Sequence, residues 1–345
     1  MPYRYLFFND YSEGAHPRIL NALNKANSTQ EMGYGEDGFC AEATRLLRAK
    51  LDNERAQVHF VSGGTQANLI ALASMLKPFE SVIAAATAHI NVHEAGAVEA
   101  TGHKIHNVPC LDGKLTPPAL QEVVSAHTDE HMVKPRVVFL SQATELGTIY
   151  TKTELEAISK VCRTVGLFLY LDGARLGSAL ASSGADMTLS DIAQLTDLFY
   201  IGGTKNGLLL GEAIVIVNPA LQENFRYHLK QRGALLAKGR ILGIQFSELF
   251  RDDLFFEIAH HANDMAQILS RGIEACGYTF LVKTPTNQIF PILPNSVIEE
   301  LKKKYGFYVW SRVDEKHSCI RLVTSWATPG DAVNEFLADL KAISQ

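Results

Sequence analysis

Three side chains in the middle of the chain could share one reaction. Lys205 sits in Gly202-Gly203-Thr204-Lys205-Asn206-Gly207, directly after the apolar run Leu198-Phe199-Tyr200-Ile201, so its amine stands at the mouth of a buried strand. The flanking glycines leave room for a ligand to approach the backbone. Earlier in the chain, Leu167-Phe168-Leu169-Tyr170-Leu171 empties into Asp172-Gly173-Ala174-Arg175, which places a carboxylate and a guanidinium at another strand end. Pyridoxal phosphate chemistry needs an imine-forming amine, a carboxylate that keeps the pyridine nitrogen protonated, and a cation for the substrate carboxylate. Lys205, Asp172 and Arg175 supply that set. Each turn alone reads equally well as a charged surface turn between strand and helix; the two in this order favour a shared site.

Two further segments fit the same cofactor. Val58-His59-Phe60-Val61 reads as a strand, and Ser62-Gly63-Gly64-Thr65-Gln66-Ala67-Asn68 opens a helix carrying Leu69, Leu72, Ala73 and Leu76. Glycines and free N–H groups at a helix start, with the Thr65 hydroxyl beside them, form a phosphate cup. Taken alone, the segment is also an ordinary threonine-capped turn. After Val82-Ile83-Ala84-Ala85-Ala86 comes His89, read as a flat plate over the cofactor ring, although a packed or capping histidine is the commoner role. His89 and His93 are spaced to chelate zinc from one helix face, but no third ligand is evident and no metal is expected. Gly33-Tyr34-Gly35-Glu36-Asp37-Gly38 matches a dinucleotide fingerprint letter for letter. It follows a polar segment instead of a strand and carries two acids that would repel a pyrophosphate, so the match is rejected.

These turns need a scaffold, and near-continuous apolar strands alternating with helices supply one: an α/β fold with a mostly parallel sheet covered on both faces. Val137-Val138-Phe139-Leu140 is another such strand and leads into the polar loop Ser141-Gln142-Ala143-Thr144-Glu145-Leu146-Gly147. Thr151 and Glu154 form a capping box for a helix with Leu155, Ile158, Cys162 and Val165 inward, stopped by Gly166. A helix after His16-Pro17 turns Ile19, Leu20 and Leu23 inward. The basic stretch Lys230 to Arg240 reads as helical. The last hundred residues read as a small α/β domain: a helix around His260 to Cys276, short strands at Gln288 to Ile292 and Ile320 to Thr324, and a final helix from Thr328-Pro329. Arg321 lies in one of those strands, and burial there would require an anionic partner.

The chain has 345 residues, is 47% hydrophobic and carries a formal charge of −5. That is enough to bury a sizeable core, and the absence of a basic block gives no footing for nucleic acid or an anionic membrane. No apolar run approaches the roughly 18 residues of a membrane span, and the amino terminus lacks the apolar core of a signal peptide, so a cytoplasmic protein is expected. Five scattered cysteines without Cys-x-x-Cys spacing suggest neither a disulfide framework nor a thiolate zinc site.

Nearly the whole chain resembles the threonine aldolase and β-eliminating lyase group of pyridoxal-phosphate enzymes, of the aspartate aminotransferase fold (fold type I). The resemblance rests on Tyr34-Gly35-Glu36-Asp37, on Ser62 to Asn68, on His89, on Leu171-Asp172-Gly173-Ala174-Arg175 and on Thr204-Lys205. It implies a large PLP-binding domain over residues 31–240, a small C-terminal domain over 241–345 and an N-terminal segment, 1–30, packing with the small domain. It further implies that Gly64 and Thr65 hold the phosphate, that His89 stacks on the ring, and that Asp172 binds the ring nitrogen. Lys205, preceded by Thr204, would carry the cofactor covalently. Arg175 and Arg321, with Asn9 in a position that is often serine, would bind the substrate carboxylate. Tyr34 would reach the neighbouring subunit's site in a homodimer or homotetramer with shared active sites, and Lys238 or Arg232 would add a phosphate contact from that neighbour. Better-known bacterial threonine aldolases place a histidine beside the substrate β-hydroxyl, in the loop where this chain offers Thr144. The implied activity is cleavage of the Cα–Cβ bond of L-threonine, L-allo-threonine or a related L-β-hydroxy-α-amino acid to glycine and an aldehyde. Lys205, His89 and Asp172 would do the chemistry, with the base at the β-hydroxyl left open. β-Elimination, transamination, a phenylserine preference and a non-enzymatic binding protein on the same fold are the alternatives.

Overall fold

Strands apolar on both faces must be covered by helices on both faces. The central sheet of the computed structural model, which describes residues 3–344, is of this kind. Met1, Pro2 and Gln345, at the outer limits of the expected first and last segments, lie outside the described residues. The seven strands are β1 (Gln57–Val61), β2 (Glu80–Ala85), β3 (Ile105–Val108), β4 (Lys134–Ser141), β5 (Phe168–Asp172), β6 (Leu198–Gly202) and β7 (Glu212–Ile216). Every residue of β2, β6 and β7 is buried. Across the sheet the order is β1-β7-β6-β5-β4-β2-β3. Only β7 runs against its neighbours; the other pairs are parallel.

That topology gathers the functional turns at one edge. β4, β5 and β6 end there at Ser141, Asp172 and Gly202, and the antiparallel β7 begins there at Glu212. The register sets Ser141 beside Asp172, and Glu212 beside both Gly202 and Val61. Ligands of open α/β sheets bind outside the carboxyl ends of the strands, so this edge is the expected place for a site. The turns after β5 and β6 are also packed backbone to backbone. A Cβ on Gly173 would stand 1.9 Å from the Tyr200 carbonyl oxygen, and one on Gly202 would stand 2.3 Å from that of Ala174. Glycine is required at both positions to hold the Asp172 and Lys205 turns together.

The expected capping box forms between Thr151 and Glu154, and Gly166 ends that helix in the left-handed region at φ 72°. Leu155, Ile158 and Cys162 are buried, but Val165 in the last turn stays 40% exposed. Leu20 likewise points out of the helix Pro17–Ala26 while Ile19 points in. The basic stretch is not one helix: Phe225–Gln231 stops, the chain turns through Gly233 at φ +69°, and a new helix, Arg240–Phe250, begins. This last helix packs on Pro17–Ala26 and Gly38–Leu51.

Among the described residues two large hydrophobic cores form, with a small third cluster at Leu146, Phe290 and Cys319. The larger runs from Ala15 to Ile258 and surrounds the central sheet. The smaller joins Phe7 to residues between Ala266 and Leu340. The helix Leu254–Ala275 enters both, with Phe255 and Ile258 in the first and Leu269 and Ile273 in the second. In the smaller unit His317–Val323 pairs antiparallel with Gln288–Ile289, Pro291–Pro294 and Tyr308–Arg312. The N-terminal strand Tyr5–Leu6 joins that unit by pairing with Tyr305–Gly306. Among the described residues no helix is long and apolar enough to cross a membrane.

Candidate active site

At the strand-end edge lies a cleft of about 860 Å³, open solvent included, a size suited to a cofactor with a small substrate. Its walls include Ser62, Gly63, Gly64, Thr65, His89, Asp172, Arg175, Thr204 and Lys205, so most of the anticipated site residues are brought together. Tyr11, Ser141, Ala143, Glu145, Ala174, Tyr200 and Glu212 complete it.

Asp172, the last residue of β5, is buried and held by three donors. Asn68 Nδ2 approaches Oδ2 at 3.0 Å, while the Tyr200 hydroxyl at 2.6 Å and the Ala174 N–H at 2.9 Å approach Oδ1. Asn68 Nδ2 also donates to Glu94 Oε1 at 2.7 Å, and Asn68 Oδ1 accepts from the Tyr170 hydroxyl at 2.8 Å. Glu94 Oε1 in turn lies 2.8 Å from His89 Nδ1. A carboxylate only accepts, so Nδ1 carries the hydrogen and Nε2 is left as the acceptor. One buried network thus fixes both the histidine and the aspartate. The His89 and His93 ring centroids are 5.5 Å apart, and among the described residues no three metal-ligating side chains converge.

Lys205 is set between opposing charges. Burial, and then the Arg175 charge, push its amine below the ordinary lysine range, against the pull of Asp10, Asp172 and Glu212. A depressed amine is the nucleophilic form of lysine. Glu212 is pushed up to about 7 by burial, against the Gly203 N–H, the Thr204 hydroxyl and the Lys205 charge. Its Oε2 accepts from Gly203 N–H at 2.9 Å. Thr204 Oγ1 accepts from Gly211 N–H at 2.9 Å, which closes the turn around the lysine.

The two arginines differ. Arg175 is locked to Asp10, with Nε to Oδ2 at 2.7 Å and an Nη to Oδ1 at 3.0 Å. Asn287 Nδ2 donates to the same Asp10 Oδ2 at 2.9 Å. Arg321 instead donates to the Phe8 carbonyl oxygen at 3.2 Å and packs against Tyr308 and Trp310, 5.4 and 5.2 Å from the ring centroids. Its buried Nε has no hydrogen-bond partner among the described residues. Burial and the neighbouring Arg175 charge lower its affinity for a proton. This is the arginine that still calls for an anion.

Besides Arg321, three anticipated residues lie off the cleft wall. Asn9 Oδ1 accepts from the Tyr11 N–H and the Ser12 hydroxyl, which commits it to its own turn, while Tyr11 lines the cleft and the buried Asp10 binds Arg175. The Thr144 hydroxyl lies 2.6 Å from that of Thr148 and faces away, and Glu145 takes the cleft position. Tyr34 is 45% exposed, has its ring under Lys230 Nζ at 4.7 Å, and lines a separate cavity. Sequence reading passed over Asp10, Asn68, Glu94, Glu145, Tyr200 and Glu212. Glu212 carried a signal, since it is an acid heading an otherwise apolar strand.

The residues present fit pyridoxal phosphate. The helix Gly64–Met75 points its first amides into the cleft, and a Cβ on Gly63 would meet nothing within 4 Å, which leaves an open cradle for phosphate. With an amine, a buried aspartate and a histidine converging on that cradle, the fold and the site define a pyridoxal-phosphate enzyme of fold type I. The beta-eliminating lyase family model matches residues 12–295, and the chain belongs to that family. It is 36% identical to a low specificity L-threonine aldolase of Pseudomonas over 340 residues, covering 98% of this chain and 97% of that one. A solved threonine aldolase structure from Leishmania major superposes with a TM-score of 0.98 at 50% identity, covering 99% of this chain and 100% of that one. An aspartate aminotransferase of Thermus thermophilus shares the fold, at 15% identity and TM-score 0.73, covering 98% and 91%.

Proposed function

We propose that the protein is a lyase that cleaves the Cα–Cβ bond of L-threonine, L-allo-threonine or a related L-β-hydroxy-α-amino acid, giving glycine and an aldehyde. The observation that carries this is Arg321, a partly buried guanidinium with an unpartnered Nε that feels the charge of Arg175, itself on the wall of the cleft that holds Lys205. A substrate carboxylate satisfies it. The relatives named above act as threonine aldolases.

Gly64, Thr65 and the first amides of their helix would hold the phosphate, Asp172 the ring nitrogen, His89 the ring face and Lys205 the covalent link, with Thr204 closing the lysine turn. Bound there, pyridoxal phosphate supplies the electron sink that makes cleavage at Cα accessible. Arg321 anchors the carboxylate, and Arg175, neutralised by Asp10, shapes the floor beside it. Anchoring the carboxylate there would disfavour its loss and leave the Cα–Cβ and Cα–H bonds as the ones available for cleavage. His89, its Nδ1–H given to Glu94, presents Nε2 as an acceptor. Lys205 is the one lysine on the cleft wall among the described residues.

Tyr34, exposed and outside its own chain's cleft, fits a role in a neighbouring subunit's site within a homodimer or homotetramer. We place the protein in the cytoplasm, and we move the border between large and small domains from the expected 240/241 into the helix Leu254–Ala275, because Phe246 to Ile258 pack in the larger core and Leu269 and Ile273 in the smaller. Incubating the purified protein and cofactor with a panel of β-hydroxy amino acids, while assaying aldehyde and glycine, tests the reading. Ammonia and a keto acid as main products from serine or threonine would replace it with β-elimination.

A further inference from the structure

The β4–loop segment contains a carboxylate that nothing above has used. After Ser141 the chain turns so that Thr144 pairs with Thr148, and Glu145 swings to the cleft wall beside His89, Asp172 and Lys205. Glu145 Oε1 is fixed by two donors, the Ser141 hydroxyl at 2.7 Å and the His89 N–H at 2.8 Å. Both partners are neutral. The other acids around the cleft are committed: Asp172 to Asn68 and Tyr200, Asp10 to Arg175, Glu94 to His89 and Asn68, and Glu212 to the Gly203 N–H in the lysine turn.

We propose that Glu145 is the catalytic base that takes the proton of the substrate β-hydroxyl. The assignment rests on the aldol reading above. In the step, the O–H bond breaks and its proton passes to the Glu145 carboxylate. The freed electron pair becomes the second carbon–oxygen bond of the aldehyde, and the Cα–Cβ bond breaks with its pair left on Cα. Protonation at Cα then gives glycine, and Glu145 returns its proton to solvent once the aldehyde has left. Burial, reinforced by the Asp172 charge, raises the Glu145 carboxyl above the ordinary range against the Ser141 hydrogen bond, which makes it a stronger base. The His89 amide anchors the same carboxylate at the root of the histidine on the cleft wall.

The test compares two reactions of one variant. In Glu145→Gln, cleavage of phenylserine or threonine should fall on the order of 100-fold or more, the usual worth of a positioned base. Exchange of the glycine Cα hydrogen with deuterated solvent, which involves no hydroxyl, should stay within a few-fold of wild type. Cofactor affinity and thermal midpoint should be unchanged. Glu145→Asp, which sets the carboxylate back by one methylene, should recover roughly tenfold or more over the glutamine variant. Equal loss of cleavage and exchange would make Glu145 structural and overturn the assignment. So would cleavage by Glu145→Gln near the wild-type rate, or identical rates for the Gln and Asp variants. A wild-type enzyme that exchanges glycine hydrogen yet cleaves no β-hydroxy substrate would overturn the aldol reading together with it.

Discussion

Asp10 holds Arg175 through both of its carboxylate oxygens, at 2.7 and 3.0 Å, with its side chain wholly shielded from solvent. Burial alone would push the Asp10 carboxyl up, but the Arg175 and Lys205 charges hold it below the ordinary range. The pair is what lets a guanidinium stand beside Lys205 and Arg321 without leaving three like charges uncompensated. Removing one partner of a buried pair costs about 3 kcal/mol or more, because the other charge is stranded. Asp10→Asn should therefore lower the unfolding free energy of the cofactor-free protein by roughly that amount in a urea titration. A loss below about 1 kcal/mol, typical of exposed pairs, would show that solvent already screens Arg175.

Arg321→Leu should raise KM for the amino-acid substrate by about two orders of magnitude while cofactor content stays at wild-type level, since a charge-assisted anchor is lost. Arg321→Lys should recover only part of it. The planar guanidinium packs against Tyr308 and Trp310, and a lysine ammonium cannot reproduce both that contact and a forked grip on a carboxylate. Substrate titrations followed by the cofactor's absorbance would measure both variants.

Regular structure and loops differ in how much of this could be read in advance. The apolar runs before Asp172 and Lys205 fixed two strands, and parallel strands deliver their carboxyl ends to one edge, so the grouping of Gly64, His89, Asp172 and Lys205 was legible. Asn9 and Thr144 were chosen, whereas Tyr11 and Glu145 line the cleft and the buried Asp10 binds Arg175. Both lie in irregular segments, where no period of 2 or 3.6 residues sets which side chain points inward. The same limit appears at helix ends: Val165 keeps the apolar spacing of Leu155, Ile158 and Cys162, but sits in the last turn, where the neighbouring layer no longer covers it. The Glu94–Asn68–Asp172 network was out of reach for another reason, because its members come from separate elements and meet only in the fold.

Lys205→Ala should abolish covalent cofactor attachment. Borohydride treatment of the loaded wild-type protein should fix the cofactor to a peptide containing Lys205, whose amine is the one depressed by burial and by Arg175. Labelling at the exposed Lys238, or at Lys152, which is paired with Asp191 at 2.7 Å, would refute the assignment.

Glu212 predicts a pH signature in the cofactor-free protein. Its folded value of about 7 lies above that of an unfolded glutamate, about 4.3. Between those values the folded state binds more protons than the unfolded one, so stability falls as pH rises through the window and levels off above it. The whole drop is roughly 4 kcal/mol. Glu212→Gln should flatten the unfolding free energy between pH 5 and pH 8, leaving the variant more stable than wild type at the upper end. An unchanged slope would place the titrating group elsewhere.

Asp172→Asn tests whether the carboxylate at the end of β5 is needed for its charge. Its Oδ2 receives Asn68 Nδ2 at 3.0 Å, and its Oδ1 receives the Tyr200 hydroxyl and the Ala174 N–H. An asparagine must turn an NH2 toward one of these donors. Asn68 cannot readily flip to accept it, because its Oδ1 is held by Tyr170 and its Nδ2 serves Glu94 as well. Facing Oδ1 is worse, since two donors meet there. The variant should lose about 1–3 kcal/mol of stability from the broken network, which a folded protein of this size can tolerate. It should still bind cofactor at the helix Gly64–Met75, whose amides do not involve Asp172. Turnover should nevertheless fall by about three orders of magnitude, because a neutral amide cannot hold the charge on the ring nitrogen. Near-normal turnover with the predicted loss of stability would mean that Asp172 serves the network alone.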